Sequence, residues 1–173
     1  MNFDDYTPPD WHRWFLQGVY WIASKSKDSK TKIGAIIVKD KRIISTGYNG
    51  MPEGVDDTVS ERLERPTKYF YFEHGERNAI YSAARHGIVT DGATLYTNAV
   101  PCADCARGIV QAGITNVYVH KQFNDISDMY VRDQWKGHHT VTSILLDEAG
   151  VGILSIDAVL GCKAYFDGKV YDI

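Results

Sequence analysis

The sequence predicts an α/β fold built on about five main strands. Three observations carry this. β-Branched and aromatic runs at residues 33–38, 42–46, 93–97, 116–120 and 151–156 read as strands. Apolar residues at helical spacing separate most of them. The strand–helix–strand order across residues 93–120 requires a parallel crossover. At 173 residues, with no repeat, linker or low-complexity segment, the chain is expected to be one domain spanning residues 1–173.

The elements follow in order. Trp11, Trp14, Phe15, Gly18, Trp21 and Ile22 recur at helical spacing behind Asp10, an N-cap candidate. Residues 10–26 are therefore expected as an amphipathic helix with its aromatics in the core. The strands at 33–38 and 42–46 are joined by a tight turn at Asp40-Lys41. A loop rich in Gly, Pro and acidic residues runs from Tyr48 to about Lys68. The next helix covers about 73–86 and stops at Gly87. That leaves His86 at a helix C-terminus, where a cation is favourable, and it receives no chemical role. A strand at 93–97, a helix at 102–112 ending at Gly113, and a strand at 116–120 come next. A helix from about 138 to 149 leads into the strand at 151–156, and residues 159–171 read as a weaker hairpin around Gly168. The 157–173 tail has no assigned role.

Composition narrows the function classes. Hydrophobic residues make up 44% and the formal net charge is −3, as expected of a soluble enzyme and unfavourable for general binding to polymeric nucleic acid. No apolar run reaches membrane-spanning length, and the acidic start Met1-Asn2-Phe3-Asp4-Asp5 is no signal peptide. Three cysteines, two of them wanted as thiolates, fit a reducing cytoplasm.

The chemistry sits in a split motif, His74-Gly75-Glu76 and Pro101-Cys102-Ala103-Asp104-Cys105. Two thiolates and an imidazole suit Zn2+, and three protein ligands leave one position for water, as a catalytic ion needs. The Cys-x-x-Cys spacing puts both sulfurs at the start of one helix, where backbone N–H groups favour thiolates. Zinc lowers the pKa of water from about 15.7 to about 7. Glu76, two residues after His74, stands near the metal but turned away from ligation. It is expected to move a proton from that water to a ring nitrogen and then to a departing amine. The alternatives are a redox pair, which leaves His74 and Glu76 unexplained, and a closed structural zinc with His120 or Cys162 as fourth ligand. The pattern itself is that of the zinc nucleobase deaminases.

With the surrounding residues the chain resembles the cytidine deaminase superfamily and, within it, the deoxycytidylate (dCMP) deaminase branch, from about residue 15 to 152. The likeness runs through Ser26-Lys27-Asp28, Gly47-Tyr48-Asn49-Gly50-Met51-Pro52-Glu53-Gly54, Lys68-Tyr69, residues 76–80, residues 95–113 and Ala149-Gly150-Val151. It implies a three-layer α/β/α fold with a mixed sheet, one catalytic zinc, and hydrolysis of dCMP to dUMP and ammonia, feeding thymidylate precursor synthesis. The alternatives are an unphosphorylated nucleoside or base as substrate, and a non-catalytic nucleotide-binding regulator.

The resemblance also implies residue roles. Asn49 stands where an asparagine binds the sugar or base edge. The Gly75 N–H would hold the pyrimidine carbonyl, although relatives carry alanine there. The Ala99 carbonyl would meet the substrate amine. Gly47, Tyr48, Asn49 and Gly50 match a loop that helps bind dCTP or dTTP effectors in regulated members. Lys25 stands where arginine is usual, and Phe123-Asn124-Asp125-Ile126 replaces a Tyr-His-Asp-Ser-like stretch, so Arg132 and Lys136 are further phosphate candidates. Val55 occupies the place of a cysteine that binds a second zinc in some relatives. A homo-oligomer is expected. Cys162 is expected as a small buried residue, and His138 and His139 as surface or interface groups. His12 has no partner identifiable from sequence, and core or subunit packing is expected of Tyr69, Phe70, Tyr71 and Phe72.

Overall fold

The computed structural model describes residues 9–129 and 133–173, with side chains of the last helix from residue 137 onward. The elements are α1 (Trp11–Ala23), β1 (Gly34–Lys39), β2 (Arg42–Tyr48), a short turn of 3-10 helix (Ser60–Arg62), α2 (Lys68–Tyr71), α3 (Gly75–Arg85) and β3 (Thr94–Thr97). They continue with α4 (Ala103–Gln111), β4 (Asn116–His120), α5 (Lys121–Asp128), α6 (Asp133–Glu148), β5 (Gly152–Ile156), β6 (Lys163–Phe166) and β7 (Lys169–Asp172).

The main sheet has the order β2-β1-β3-β4-β5. β1 pairs antiparallel with β2 and with β3, whereas β3–β4 and β4–β5 are parallel, so the sheet is mixed as expected. Asp40 and Lys41 take φ of 51° and 60° in the β1–β2 turn, the two positive values that a tight hairpin turn requires. β1 is buried on both faces, which explains its continuous apolar run. Ala35 and Ile37 join Ala79 of α3, Ile109 of α4 and Leu146 of α6 in one core layer. Ile36 and Val38 join Phe15, Leu16 and Val19 of α1, Phe123 of α5 and Ala164 of β6 in the other. The result is the α/β/α sandwich.

Asp10 caps α1, accepting from the Arg13 N–H at 3.0 Å. The expectation that the α1 aromatics lie in the core is corrected for the tryptophans. Phe15 is buried, but Trp11, Trp14 and Trp21 are 49%, 45% and 75% exposed. The face that meets the sheet is Phe15, Leu16, Val19, Tyr20 and Ala23, and Trp14 and Trp21, two turns apart, lie on the other side. Helix α5 has no counterpart among the elements expected from sequence, and α6 begins five residues before its expected start. The tail does form a hairpin, β6–β7, turning at Asp167 and Gly168 with φ of 47° and 79°.

Among the described residues no helix is long and apolar enough to cross a membrane.

Candidate active site

Two helix starts meet at the carboxyl end of β3. His74 is the N-cap of α3 and Cys102 the N-cap of α4, both with extended backbone, and Cys105 lies in the first turn of α4. The β3–α4–β4 crossover delivers the cysteines beyond its first strand, where parallel α/β sheets usually bind ligands. The His74 Nδ1 lies 3.5 Å from each of the Cys102 and Cys105 sulfurs. These are the three groups that could hold a metal among the described residues, with all ligand atoms within 4.8 Å of one another.

The donor set fits zinc. With Zn–S of about 2.3 Å and Zn–N of about 2.0–2.1 Å, a tetrahedral S–N edge spans about 3.5 Å. The candidate fourth ligands do not join the group. His120 is fully buried, and its ring nitrogens are engaged by the Tyr20 hydroxyl at 2.8 Å and the Ala158 carbonyl at 2.9 Å. Cys162 is half-buried and its thiol donates to the Leu160 carbonyl.

Electrostatics support a thiolate centre. The Cys102 thiol is pushed down to about 3, first by the hydrogen bond from Cys105 and then by His74, against the opposing effect of burial. Its neighbour Cys105 moves the opposite way, because the pair shares one proton and burial adds to the rise. Burial pushes His74 down, but the hydrogen bond to Cys102 and the charges of Glu76 and Cys102 raise it overall. Glu76 is 4% exposed, and burial lifts its carboxyl above the ordinary range, partly offset by His74.

A cavity opens over these groups. Its wall includes His74, Glu76, Cys102, Ala99 and Asn49, together with Tyr69, Phe72 and Phe123. Phe70, by contrast, is 88% exposed. Asn49 belongs to the wall through a committed amide. Its Oδ1 accepts from the Ile33 N–H at 2.8 Å, and its Nδ2 donates to the Thr31 carbonyl at 2.8 Å and to Asp28 at 3.2 Å. Gly75 is buried as the first residue of α3, and an added Cβ would come within 3.1 Å of the Ile33 carbonyl oxygen.

Other expected site residues fall elsewhere. Lys25 is exposed and off the cavity wall. Arg132 and the Lys136 side chain lie outside the described residues. Gly47 has a packing reason, since a Cβ there would stand 2.3 Å from both the Ala79 nitrogen and the Gly75 oxygen of α3. The Tyr48 carbonyl accepts from Asn78, and Gly50 exchanges backbone hydrogen bonds with Glu73.

The structure also recruits residues that spacing did not single out for the site. Arg77 donates from Nη1 to the Cys105 sulfur at 3.6 Å and pairs with Glu73, whose Oε1 accepts from the His74 N–H at 3.1 Å. Asn124 accepts from the Val100 N–H at 2.9 Å, and Thr142 donates to the Pro101 carbonyl at 2.9 Å. His138 accepts from the Ala103 N–H at 3.4 Å, and His139 lines the cavity; both are half-buried. α5 and α6 therefore brace the segment that carries Cys102. His12, left without a partner above, meets the Tyr96 hydroxyl at 3.0 Å.

Comparison with known proteins identifies the family. Residues 9–121 match the model of the cytidine and deoxycytidylate deaminase zinc-binding region. The chain is 36% identical over 143 residues to the uncharacterized deaminase in the luxG 3′ region of Aliivibrio fischeri, covering 83% of this chain and 91% of that one. It is 32% identical over 157 residues to the deoxycytidylate deaminase of Homo sapiens, covering 86% and 79%. The crystal structure of dCMP deaminase from the cyanophage S-TIM5, in complex with dCMP and dUMP, superposes with a TM-score of 0.64 at 25% identity, covering 87% of this chain and all of that one.

Proposed function

This chain belongs to the cytidine and deoxycytidylate deaminase family, and we propose on that basis that it converts dCMP and water to dUMP and ammonia. The observation that carries the reading is the meeting of His74, Cys102 and Cys105 in one cluster, with His74, Cys102 and the buried Glu76 on one cavity wall. The deoxycytidylate deaminase relatives, and the dCMP- and dUMP-bound S-TIM5 enzyme of the same fold, support the substrate. The whole chain acts as one deaminase domain in this reading, as a homo-oligomer in the cytoplasm, with its thiols reduced.

His74, Cys102 and Cys105 would hold the zinc. When bound, the ion supplies the Lewis acid that makes water nucleophilic near neutral pH. Glu76 accepts a proton from the attacking water at its carboxylate and hands it to the ring nitrogen, then assists the departing amine. Its burial suits that task, because a desolvated carboxylate binds a proton more tightly than one in water. The Gly75 N–H has no partner within the helix, being in its first turn, and is assigned to the pyrimidine carbonyl. The Ala99 carbonyl is assigned to the leaving amine. Asn49 positions the 28–33 loop rather than the sugar alone, since its amide is already committed there. Residues 47–50 also contribute to a dCTP or dTTP effector site in this reading.

The position of Lys25, off the wall, favours a second reading, in which an unphosphorylated nucleoside is the substrate. Ammonia release by the zinc-loaded protein from dCMP, deoxycytidine, CMP and cytidine, with and without dCTP, tests both. Preference for dCMP is expected, and turnover of deoxycytidine at the same kcat/KM would reject the nucleotide reading. Activation by dCTP would add the effector loop.

A further inference from the structure

Among the described residues of the cavity wall, the permanent cations are Arg65 and Lys68. Lys68 is 5% exposed, and its ammonium donates to Asp28 Oδ2 at 2.6 Å. Asp28 in turn takes N–H groups from Lys30, Thr31 and Asn49. The Lys68 charge is therefore committed inside the wall. Arg65 is not. Its Nη1 donates to Asp167 Oδ1 at 3.1 Å, while its Nε is buried without an acceptor. A guanidinium is a rigid fork of five N–H donors, and a buried donor of a charged group with no acceptor is unfavourable.

Asp167 holds that fork from a fixed place. It sits at the turn of the β6–β7 hairpin, and its N–H donates to the Thr31 hydroxyl at 3.2 Å. The Gly168 N–H donates to the Lys30 carbonyl at 2.8 Å, and the Lys32 N–H to the Tyr165 carbonyl at 3.1 Å. Phe166 packs edge-on against Phe123, with ring centroids 5.8 Å apart. These contacts lay the hairpin against the 28–32 loop and make it part of the cavity wall. The hairpin lies outside residues 9–121, the stretch matched to the family model.

We infer that Arg65, oriented by Asp167, takes the phosphate monoester of the substrate, and that the carboxy-terminal hairpin thereby selects nucleotide over nucleoside. This rests on the nucleotide reading above. Two oxygens of a phosphate match the edge of the guanidinium fork that Asp167 leaves open. Asp167 and Asp28 balance Arg65 and Lys68, so the wall has no strong positive field. Recognition works through the geometry of charge-assisted hydrogen bonds, and Arg65→Lys does not preserve it.

Calorimetric titration of the zinc-loaded protein with dUMP and with deoxyuridine tests this without turnover. The wild type binds dUMP more tightly. In Arg65→Gln the dUMP-to-deoxyuridine affinity ratio falls roughly 10- to 100-fold, as expected for loss of hydrogen bonds to a charged group. Arg65→Lys recovers little of it, and Asp167→Asn lowers the ratio by an intermediate amount. Zinc content and thermal unfolding check that each variant is folded. A ratio unchanged in Arg65→Gln overturns the inference, and so does an equal loss for both ligands, which would make Arg65 a builder of the wall. Should the wild type bind the two ligands equally while releasing ammonia from deoxycytidine, deamination stands and both the nucleotide reading and this inference fall.

Discussion

Arg77 Nη1 lies 3.6 Å from the Cys105 sulfur, and the same guanidinium holds Glu73, whose carboxylate accepts the His74 N–H. One side chain thus ties the histidine half of the metal motif to the cysteine half. Its charge is held by that arrangement, because the thiolates and Glu73 outweigh the penalty of burial.

Arg77→Met should therefore loosen the zinc. Partners of this kind typically alter metal affinity by about 10- to 100-fold. The measurement is the rate of zinc transfer to a chromophoric chelator. Arg107→Met, which removes an exposed guanidinium paired with Asp104, should leave that rate close to the wild-type value. Equal rates for the two variants would mean that Arg77 does not support the centre.

Glu76→Ala should keep the metal and the fold but lower kcat by at least roughly 10²- to 10⁴-fold, the usual worth of a positioned proton carrier. Zinc analysis and circular dichroism establish the first half, and ammonia release the second. Full activity would remove Glu76 from the mechanism.

The Lys68–Asp28 pair is buried on both sides, at 6% and 4% side-chain exposure. Lys68→Met strands the carboxylate and should destabilise by about 3 kcal/mol, the low end for a broken buried pair, because three N–H donors remain on Asp28. Asp28→Asn combined with Lys68→Met should lose less than the sum of the single variants. Denaturant midpoints decide it, and strict additivity would show that the pair does not couple.

Gly47→Ala should fail through packing. The new Cβ must displace backbone atoms of α3 now 2.3 Å from its position, so the loss should reach or exceed about 1–3 kcal/mol. The thermal midpoint should fall in the absence of any nucleotide. A variant with wild-type stability and altered dCTP response would instead make Gly47 an effector contact.

His120 is held neutral, since burial lowers its proton affinity more than the Ala158 carbonyl restores it. Its folded pKa lies below the unfolded value of about 6.5, so its contribution is complete above that pH. As pH falls from about 6.5 toward the folded pKa, the unfolded state takes up the proton first and stability drops, at up to about 1.4 kcal/mol per pH unit. His120→Gln should flatten that part of the stability profile. Urea midpoints at pH 7.5, 6.5 and 5.5 for both proteins test it, and parallel profiles would exclude His120 as a source of acid lability.

The sequence alone determined the chemistry and most of the elements. Metal ligation depends on residue type and short spacing, so the proposed ligands His74, Cys102 and Cys105, with Glu76 beside them, were readable from the sequence. Helix limits at Asp10, Gly87 and Gly113 and the turns at Asp40-Lys41 and Gly168 follow from local backbone preference. Tertiary structure decided everything that depends on which face of an element meets which neighbour. It put Trp14 and Trp21 outside and Phe15 inside, although all three share one helical pattern. It committed Asn49 to the 28–33 loop, brought Arg77 to Cys105, and carried Asp167 across the chain to Arg65. Such contacts join residues up to 102 positions apart in the chain. No local propensity encodes them, because they exist only once both core layers have closed on the sheet.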